Sequence, residues 1–505
     1  MPPSFHIENF GCRAARADGE AIAALLRSSK AAESQPAEAD VVIVNTCSVT
    51  AEADREARAY IRRAHRLNPA ARIIATGCYA QRAPAELATL PGVAAVIGNS
   101  HKALVPEIAT HQLIQIQAAQ APAAPPQVVL ADETFAHSFL EEAPVKPGAQ
   151  TRPNLKIQEG CSNRCSFCVI PQTRGSSRSL PSAAALTHVR SFVQAGGKEL
   201  VLSGINLGRW GIDLENTASR AAGSGSSAER AALEGAGFTV RGMGFPPRTL
   251  AALVRAIFEQ TRLPRLRLSS IEPMDWGPDL IETVREFAGS RWARHAHLPL
   301  QSGSDSVLRR MHRRYRPWHY AEKVAELLRA AGPALTLGAD VMVGFPGESD
   351  REFQESYDFI RSLPFGYLHI FTFSPRPGTR AWALNSESPV PAAVVDERMT
   401  SLRALAAAKL RAHRAQFIGT ELDAITLHTA PATSAVNRTS ALTENFLPAE
   451  LATALPANQL VRIRITGLAP DNTLLASTAL SAASAEDFHF GSSALQAEPV
   501  LENTF

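Results

Sequence analysis

The strongest constraint on the fold of this chain is the stretch Gly160-Cys161-Ser162-Asn163-Arg164-Cys165-Ser166-Phe167-Cys168, which comes just after the candidate strand Leu155 to Gln158. Three thiols in one loop mark the end of a strand as a place of chemistry. The pattern beyond it indicates the sheet that carries the loop. Strand-like runs recur at Glu199 to Ser203, Arg265 to Ser270, Ala296 to Leu300, Leu335 to Val341 and Tyr367 to Phe373, with helical patterns between them. Six such repeats within residues 151–385 predict an α/β unit, a partial barrel of six parallel strands with its chemistry at their C-terminal ends. Residues 216–243 interrupt the pattern with a Gly/Ala/Ser-rich stretch, predicted to be a disordered insertion.

The other three cysteines repeat the arrangement one strand at a time. Cys12, Cys47 and Cys78 each follow one of the runs Ser4 to Phe10, Val41 to Asn45 and Arg72 to Thr76. Between the last two lies a helical pattern, Thr50 to Leu67, with Ala57, Tyr60, Ile61 and Ala64 on one face and Thr50 as N-cap. Residues 1–110 therefore read as a small parallel α/β domain, whose strand C-termini converge on one crevice where the three thiols can meet. On spacing alone they are equally well three small buried residues of an α/β core.

The remaining organisation is less sharply marked. Residues 111–150 read as a linker with room for one strand, residues 386–417 as a helical connector, and residues 418–485 as a small β-barrel module with strand-like runs at Leu460 to Thr466 and Leu474 to Ser477. Residues 486–505 read as a tail. A length of 505 residues supports two to three cores without staples. No secretory leader pattern and no run of about 18 apolar residues is seen, so the expected location is the cytoplasm, where cysteines are metal ligands or catalytic thiols before they are disulfides. Lys+Arg number 51 against Asp+Glu 48, a net charge of +3, so any RNA contact must come from a local patch.

A CxxxCxxC loop with no fourth cysteine can hold a four-iron cluster through three thiolates, leaving one iron open to chelate S-adenosylmethionine (SAM) and pass an electron to its sulfonium. The competing zinc reading lacks a fourth ligand in the loop. On these residues the chain resembles the radical-SAM superfamily. Cys12, Cys47 and Cys78, then Gly98-Asn99, then Cys161, Cys165 and Cys168, then a small terminal module, together resemble the methylthiotransferase family over nearly the whole length.

That resemblance implies two 4Fe-4S clusters, an auxiliary one on Cys12, Cys47 and Cys78 and a SAM-cleaving one on Cys161, Cys165 and Cys168. It also implies a TRAM-like RNA-binding end, a flavodoxin- or ferredoxin-like electron donor, a tRNA substrate, and neither DNA nor membrane as a partner. Motifs at the barrel strand ends look like those of the family and nominate Gly204, Asn206, Ser270, Glu272, Gln301 and Asp340 for SAM. For single residues the plainer alternatives stay open: Glu272 as a helix cap, Gln301 as a loop-satisfying amide, Asp340 as a structural strand-end acid.

The runs Val201 to Gly211, Arg267 to Pro273 and Leu368 to Thr379 look most like the branch that inserts a methylthio group at C2 of N6-threonylcarbamoyladenosine beside the tRNA anticodon. Other branches act on isopentenyladenosine or on a ribosomal-protein aspartate, and a non-catalytic iron–sulfur RNA-binding protein is the alternative of another class. Two features depart from the family pattern: Ala15 stands where an asparagine is usual, and the 216–243 insertion is extra. Arg398, Arg403, Lys409, Arg411 and Arg414, on the connector helix, are expected to meet phosphates.

Overall fold

Apolar runs alternating with amphipathic helices build three units in series in the computed structural model, which describes residues 3–118, 128–132, 135, 151–214, 248–428 and 438–479. The 216–243 insertion and the 486–505 tail lie outside the described residues.

The N-terminal unit is a parallel sheet ordered Ala32–Glu33, Ser4–Asn9, Val41–Thr46, Arg72–Gly77, Val93–Gly98, Val128–Leu130. The three expected strands form its centre, and the β-branched runs of Val41–Thr46 and Arg72–Gly77 are buried on both faces, while Ser4–Asn9 is mostly half-buried. Val42, Val44, Ile73 and Ala75 pack against Ala57, Tyr60, Ile61 and Ala64 of the Ala51–Leu67 helix. Val41, Ile43 and Ile74 pack on the other side against Ile22 and Leu26 of the Arg13–Ser28 helix and Val105, Ala109 and Leu113 of the Val105–Ala118 helix. Thr50 caps Ala51–Leu67, accepting from the Ala53 amide at 3.2 Å. The Val105–Ala118 helix continues past residue 110, and the Val128–Leu130 strand, in the stretch expected to be linker, joins the sheet edge. The sheet order reverses beside Ser4–Asn9, so the crevice of an open α/β sheet falls at the C-terminal ends of its three central strands.

All six strands of the partial barrel are present: Asn154–Glu159, Glu199–Gly204, Arg265–Leu268, His295–His297, Thr336–Val343 and Phe365–Thr372. The first three and the last three form continuous parallel ladders. The halves are joined by Ala293 donating to the Leu266 carbonyl (2.9 Å) and Ile271 to that of His297 (3.0 Å). An unforeseen two-residue strand, Arg178–Ser179, pairs antiparallel with the first. The Arg13–Ser28 helix packs on Asn154–Glu159, so the N-terminal unit covers the open side of the barrel.

The last unit is a closed five-stranded barrel ordered Glu421–Thr426, Thr439–Thr443, Pro448–Leu451, Leu474–Thr478, Leu460–Leu468. It follows the Ala392–Ala415 helix, where four of the five cations expected to meet RNA are engaged within the protein. Arg398 is buried and bonds Glu348 (2.9 Å) and Asp350 (2.7 Å), and Lys409 donates to the carbonyls of Arg361 (2.8 Å) and Leu363 (2.6 Å). Arg411 and Arg414 bond Asn472, at 3.1 and 2.6 Å, and so dock the helix on the terminal barrel; Arg403 is exposed.

The same helix carries His413, hydrogen-bonded to Thr336 Oγ1 (2.8 Å) and Gln416 Nε2 (2.9 Å), and burial, aided by Arg414, brings its imidazole down to about 4. An unfolded histidine titrates near 6.5, so the folded form binds the proton less tightly. Its contribution to stability is complete above about pH 6.5 and is lost as the pH falls through the folded value. Urea unfolding should show stability dropping across that window, by up to about 3 kcal/mol from this group, and His413→Gln should flatten the drop. An equal drop in the variant would assign the effect elsewhere.

Candidate functional site

Cys12, Cys47 and Cys78 stand at the ends of three adjacent strands, and the sheet brings them together. Gly11 and Gly77 precede two of them at φ +98° and +96°; a Cβ on Gly11 would lie 2.7 Å from Cys47 Sγ, and one on Gly77 2.4 Å from the Thr46 carbonyl. Only glycine allows these strand ends to approach so closely in the left-handed region. Cys12 is exposed and the other two are buried; burial, then the neighbouring Cys78, pushes the Cys47 thiol up to about 12. Ala15 is buried, and its carbonyl accepts from Asn45 Nδ2 (2.6 Å), which also bonds Asn9 Oδ1 (3.0 Å).

Arg174, six residues after Cys168, belongs to the barrel yet reaches the first trio: its Nε donates to Cys78 Sγ at 3.2 Å. Its Nη1 bonds Glu159 (2.7 Å) of the first barrel strand and Asp18 (3.2 Å) of the N-terminal helix. Lys102 and Lys156 complete the cluster, Lys102 at 2.9 Å from Asp18 and Lys156 bonded to Asp18 and Glu159. All five side chains are at most 5% exposed. Burial alone would raise both carboxyls; the surrounding cations overcome it and hold Asp18 and Glu159 below the usual range. Asn99 adds a second tie, donating to the Thr173 carbonyl at 2.8 Å and reaching Cys78 Sγ at 3.5 Å. None of these charges was singled out in the sequence. The available signal was Lys156 and Glu159 standing in a strand whose six residues are all buried.

Cys161, Cys165 and Cys168 lie half-buried in the loop after the first barrel strand, where burial raises Cys161 and takes Cys168 up to about 12. Polar donors again face the sulfurs: the Asn163 amide (3.4 Å) and Asn206 Nδ2 (3.6 Å) on Cys161, and Arg313 Nη1 (3.3 Å) on Cys165. Of the residues nominated for SAM, Asn206 is thus beside the loop, and Glu272 is tied to it through an ion pair with Arg313. Gly204 ends its strand against Gln158, and Ser270 is exposed just past the third strand. Gln301, at φ +65°, bridges to the fifth strand with its Oε1 buried and unpartnered. Asp340 lies inside the barrel, between His297 Nε2 (3.1 Å) and His369 Nδ1 (3.3 Å).

That interior is polar. Tyr367 Oη meets His295 Nε2 (2.8 Å) and His297 Nδ1 (3.0 Å), and burial holds His295 neutral, well below its usual range. Arg267 bonds the buried Glu199 (2.9 Å), with Arg152 3.8 Å from the same carboxylate. Phe446, from the terminal barrel, plugs the far end, its ring centroid 4.3 Å from that of His295 and under the guanidinium of Arg267 (5.2 Å). Beside it a cavity of about 520 Å³ opens where the three units meet, lined by Asn9, Arg13, Arg16, Arg152, Asn154 and His428.

The donor sets fit clusters better than single ions. Thiolates around one zinc would stand roughly 3.8 Å apart. Among the described residues, the group of three potential ligand atoms within 4.8 Å of one another is His297, Asp340 and His369, and neither cysteine trio is drawn that tight. Arg174 Nη2 and Asn99 Oδ1 are buried without a partner beside Cys78, and a guanidinium faces one sulfur of each trio, which suits an anionic group. Bound iron would hold as thiolates the sulfurs that burial alone keeps protonated.

Residues 4–98 match the family described as Uncharacterized protein family UPF0004, and residues 155–360 match the Radical SAM superfamily. The threonylcarbamoyladenosine tRNA methylthiotransferase MtaB of Bacillus subtilis is 32% identical over 410 residues, covering 81% of this chain and 81% of that protein. The tRNA-2-methylthio-N(6)-dimethylallyladenosine synthase of Geobacter metallireducens is 30% identical over 419 residues, covering 82% and 85%. Among solved structures, the radical S-adenosylmethionine methyltransferase TsrM from Kitasatospora setae aligns with a TM-score of 0.46 at 13% identity, over 77% of this chain and 78% of that one. Among the described residues no helix is long and apolar enough to cross a membrane.

Proposed function

The chain belongs to the radical-SAM methylthiotransferases, and from that premise we propose that it inserts a methylthio group at C2 of N6-threonylcarbamoyladenosine beside the tRNA anticodon. Cys161, Cys165 and Cys168 would hold the SAM-cleaving 4Fe-4S cluster, and Cys12, Cys47 and Cys78 the auxiliary one. When bound, the clusters and SAM supply the electron, the hydrogen-abstracting radical and the methylthio group. The protein's own part is placement. Arg174 and Asn99 tie the loop after Cys168 to Cys78, so the two sulfur sites are rigidly registered across the domain boundary. Asn206 and Arg313 steady the sulfurs of the SAM loop, and Glu272 fixes Arg313. Phe446 closes the far end of the barrel against water. The cavity lined by Arg13, Arg16 and Arg152 gives the anticodon arm a cationic seat.

The observation that carries the two-site reading is the Arg174 to Cys78 contact, which joins the cysteine sets across the interface. The choice of adenosine rests on the barrel interior, where the exposed His369, with Tyr367 and the buried His295 and Arg267 behind it, makes a polar lining that suits an amino-acid substituent and offers little to a prenyl group. Mass spectrometry of tRNA nucleosides from cells lacking this protein should show threonylcarbamoyladenosine without its methylthio group and normal methylthio-isopentenyladenosine. The reverse pattern would move the protein to the dimethylallyl branch.

A further inference from the structure

Three neighbouring strands of the barrel turn His297, Asp340 and His369 toward one another, with Tyr367 behind His297. Their exposure is graded. The side chain of His297 is 6% exposed, that of Asp340 27% and that of His369 64%, so a buried imidazole and a half-buried carboxylate support one ring that projects into the open interior. The group stands inside the barrel, between the strand end at Gln301 and the ring of Phe446. On one side the Leu300 and Gln301 amides both donate to the Asp340 carbonyl, placing the triad one layer below the strand end nominated for SAM. On the other, Arg13, the residue after Cys12, lies 6.0 Å from the Phe446 ring, whose centroid is 5.8 Å from that of Tyr367.

We propose that His369, held in place by Asp340, is the specificity-determining residue that receives the carboxylate of the substituent on N6 of the substrate adenosine. The inference rests on the threonylcarbamoyl reading above and names the contact that would enforce it. Asp340 accepts from Nδ1 of His369 and so leaves Nε2 as the ring atom turned to the cavity. Protonated, Nε2 donates to an arriving carboxylate, and the imidazolium then lies between two anions. The neighbouring Arg267 and Arg13 make the same interior favourable to negative charge. A prenyl group there would strip water from these donors and return nothing, at a cost of roughly 1–3 kcal/mol per group left unpaired. Asp340 stands against both imidazoles and is hydrogen-bonded to that of His369, so it serves to orient that ring.

The test uses the full-length enzyme, reconstituted anaerobically, with two anticodon stem-loop RNAs: one bearing N6-threonylcarbamoyladenosine and one bearing its carboxylate methyl ester. His369→Leu should lower kcat/KM on the acid RNA about 10- to 100-fold, chiefly through KM, while the iron content per chain stays that of the wild type. The ester should be similarly poor for wild type and variant, because the protein change and the substrate change remove the same contact. His369→Gln, which retains a donor, should recover part of the loss. Losses that multiply, or a His369→Leu enzyme with full activity on the acid RNA, would overturn the assignment. A wild-type enzyme that acts on dimethylallyl RNA and not on threonylcarbamoyl RNA would instead overturn the functional reading itself.

Discussion

Replacing Cys165 with alanine should abolish SAM cleavage and lower the iron of the anaerobically reconstituted protein from about eight to about four atoms per chain. The remaining iron should stay because Cys12, Cys47 and Cys78 are held by a different sheet, whose strand ends meet through Gly11 and Gly77 without help from the SAM loop. Cys78→Ala should do the reverse, removing about four irons and methylthio transfer while sparing reductive SAM cleavage. Iron analysis with Mössbauer spectroscopy checks both variants. A protein that retains about eight irons after either change, or that takes up only zinc, would remove the two-cluster assignment.

The second large effect concerns Arg174. Its guanidinium is fully buried and bonds Asp18, Glu159 and Cys78. Arg174→Ala leaves two buried carboxylates with only Lys102 and Lys156 as partners, and breaking one member of such a network costs about 3–5 kcal/mol. Urea denaturation should register a loss of that size, concentrated in the docking of the N-terminal unit on the barrel. Arg174→Lys, which restores a cation without the planar fork, should lose less but still perturb the electronic spectrum of the group on Cys78. A loss below about 1 kcal/mol for Arg174→Ala would mean that the interface is held by apolar contacts and that the charges are incidental.

The folded elements were legible where local pattern decides them. Val41–Thr46 and Arg72–Gly77 are β-branched runs whose near-complete burial needs no knowledge of partners, and the six barrel strands were marked by their regular alternation with helical patterns. The short strands Ala32–Glu33 and Arg178–Ser179 carry no such pattern; they form because a neighbouring edge is available. Charges were harder to read, because the role of a cation depends on what folds against it. Arg398 and Lys409 look like a solvated basic face in the sequence and are committed to Glu348, Asp350 and two carbonyls in the structure. Conversely Arg152 stands some 140 residues beyond Arg13 and Arg16 in sequence and shares one cavity with them. The alternation of His295 with His297 and of Tyr367 with His369 is a sequence signal that went unread, and only the register between strands brings Asp340 to them.

The turn Thr443-Glu444-Asn445-Phe446 of the terminal barrel is bonded to the central unit at several points: Arg294 to Glu444, Arg267 to the Thr443 carbonyl (3.3 Å) and Asn445 to the Ala334 carbonyl (3.0 Å). With the ring of Phe446 seated among Arg267, His295 and Tyr367, the unit expected to grip nucleic acid doubles as a cork. It is therefore not an interchangeable cassette. Exchanging it for a foreign RNA-binding fold would uncork the reaction chamber from below, even if affinity for the nucleic acid were fully preserved.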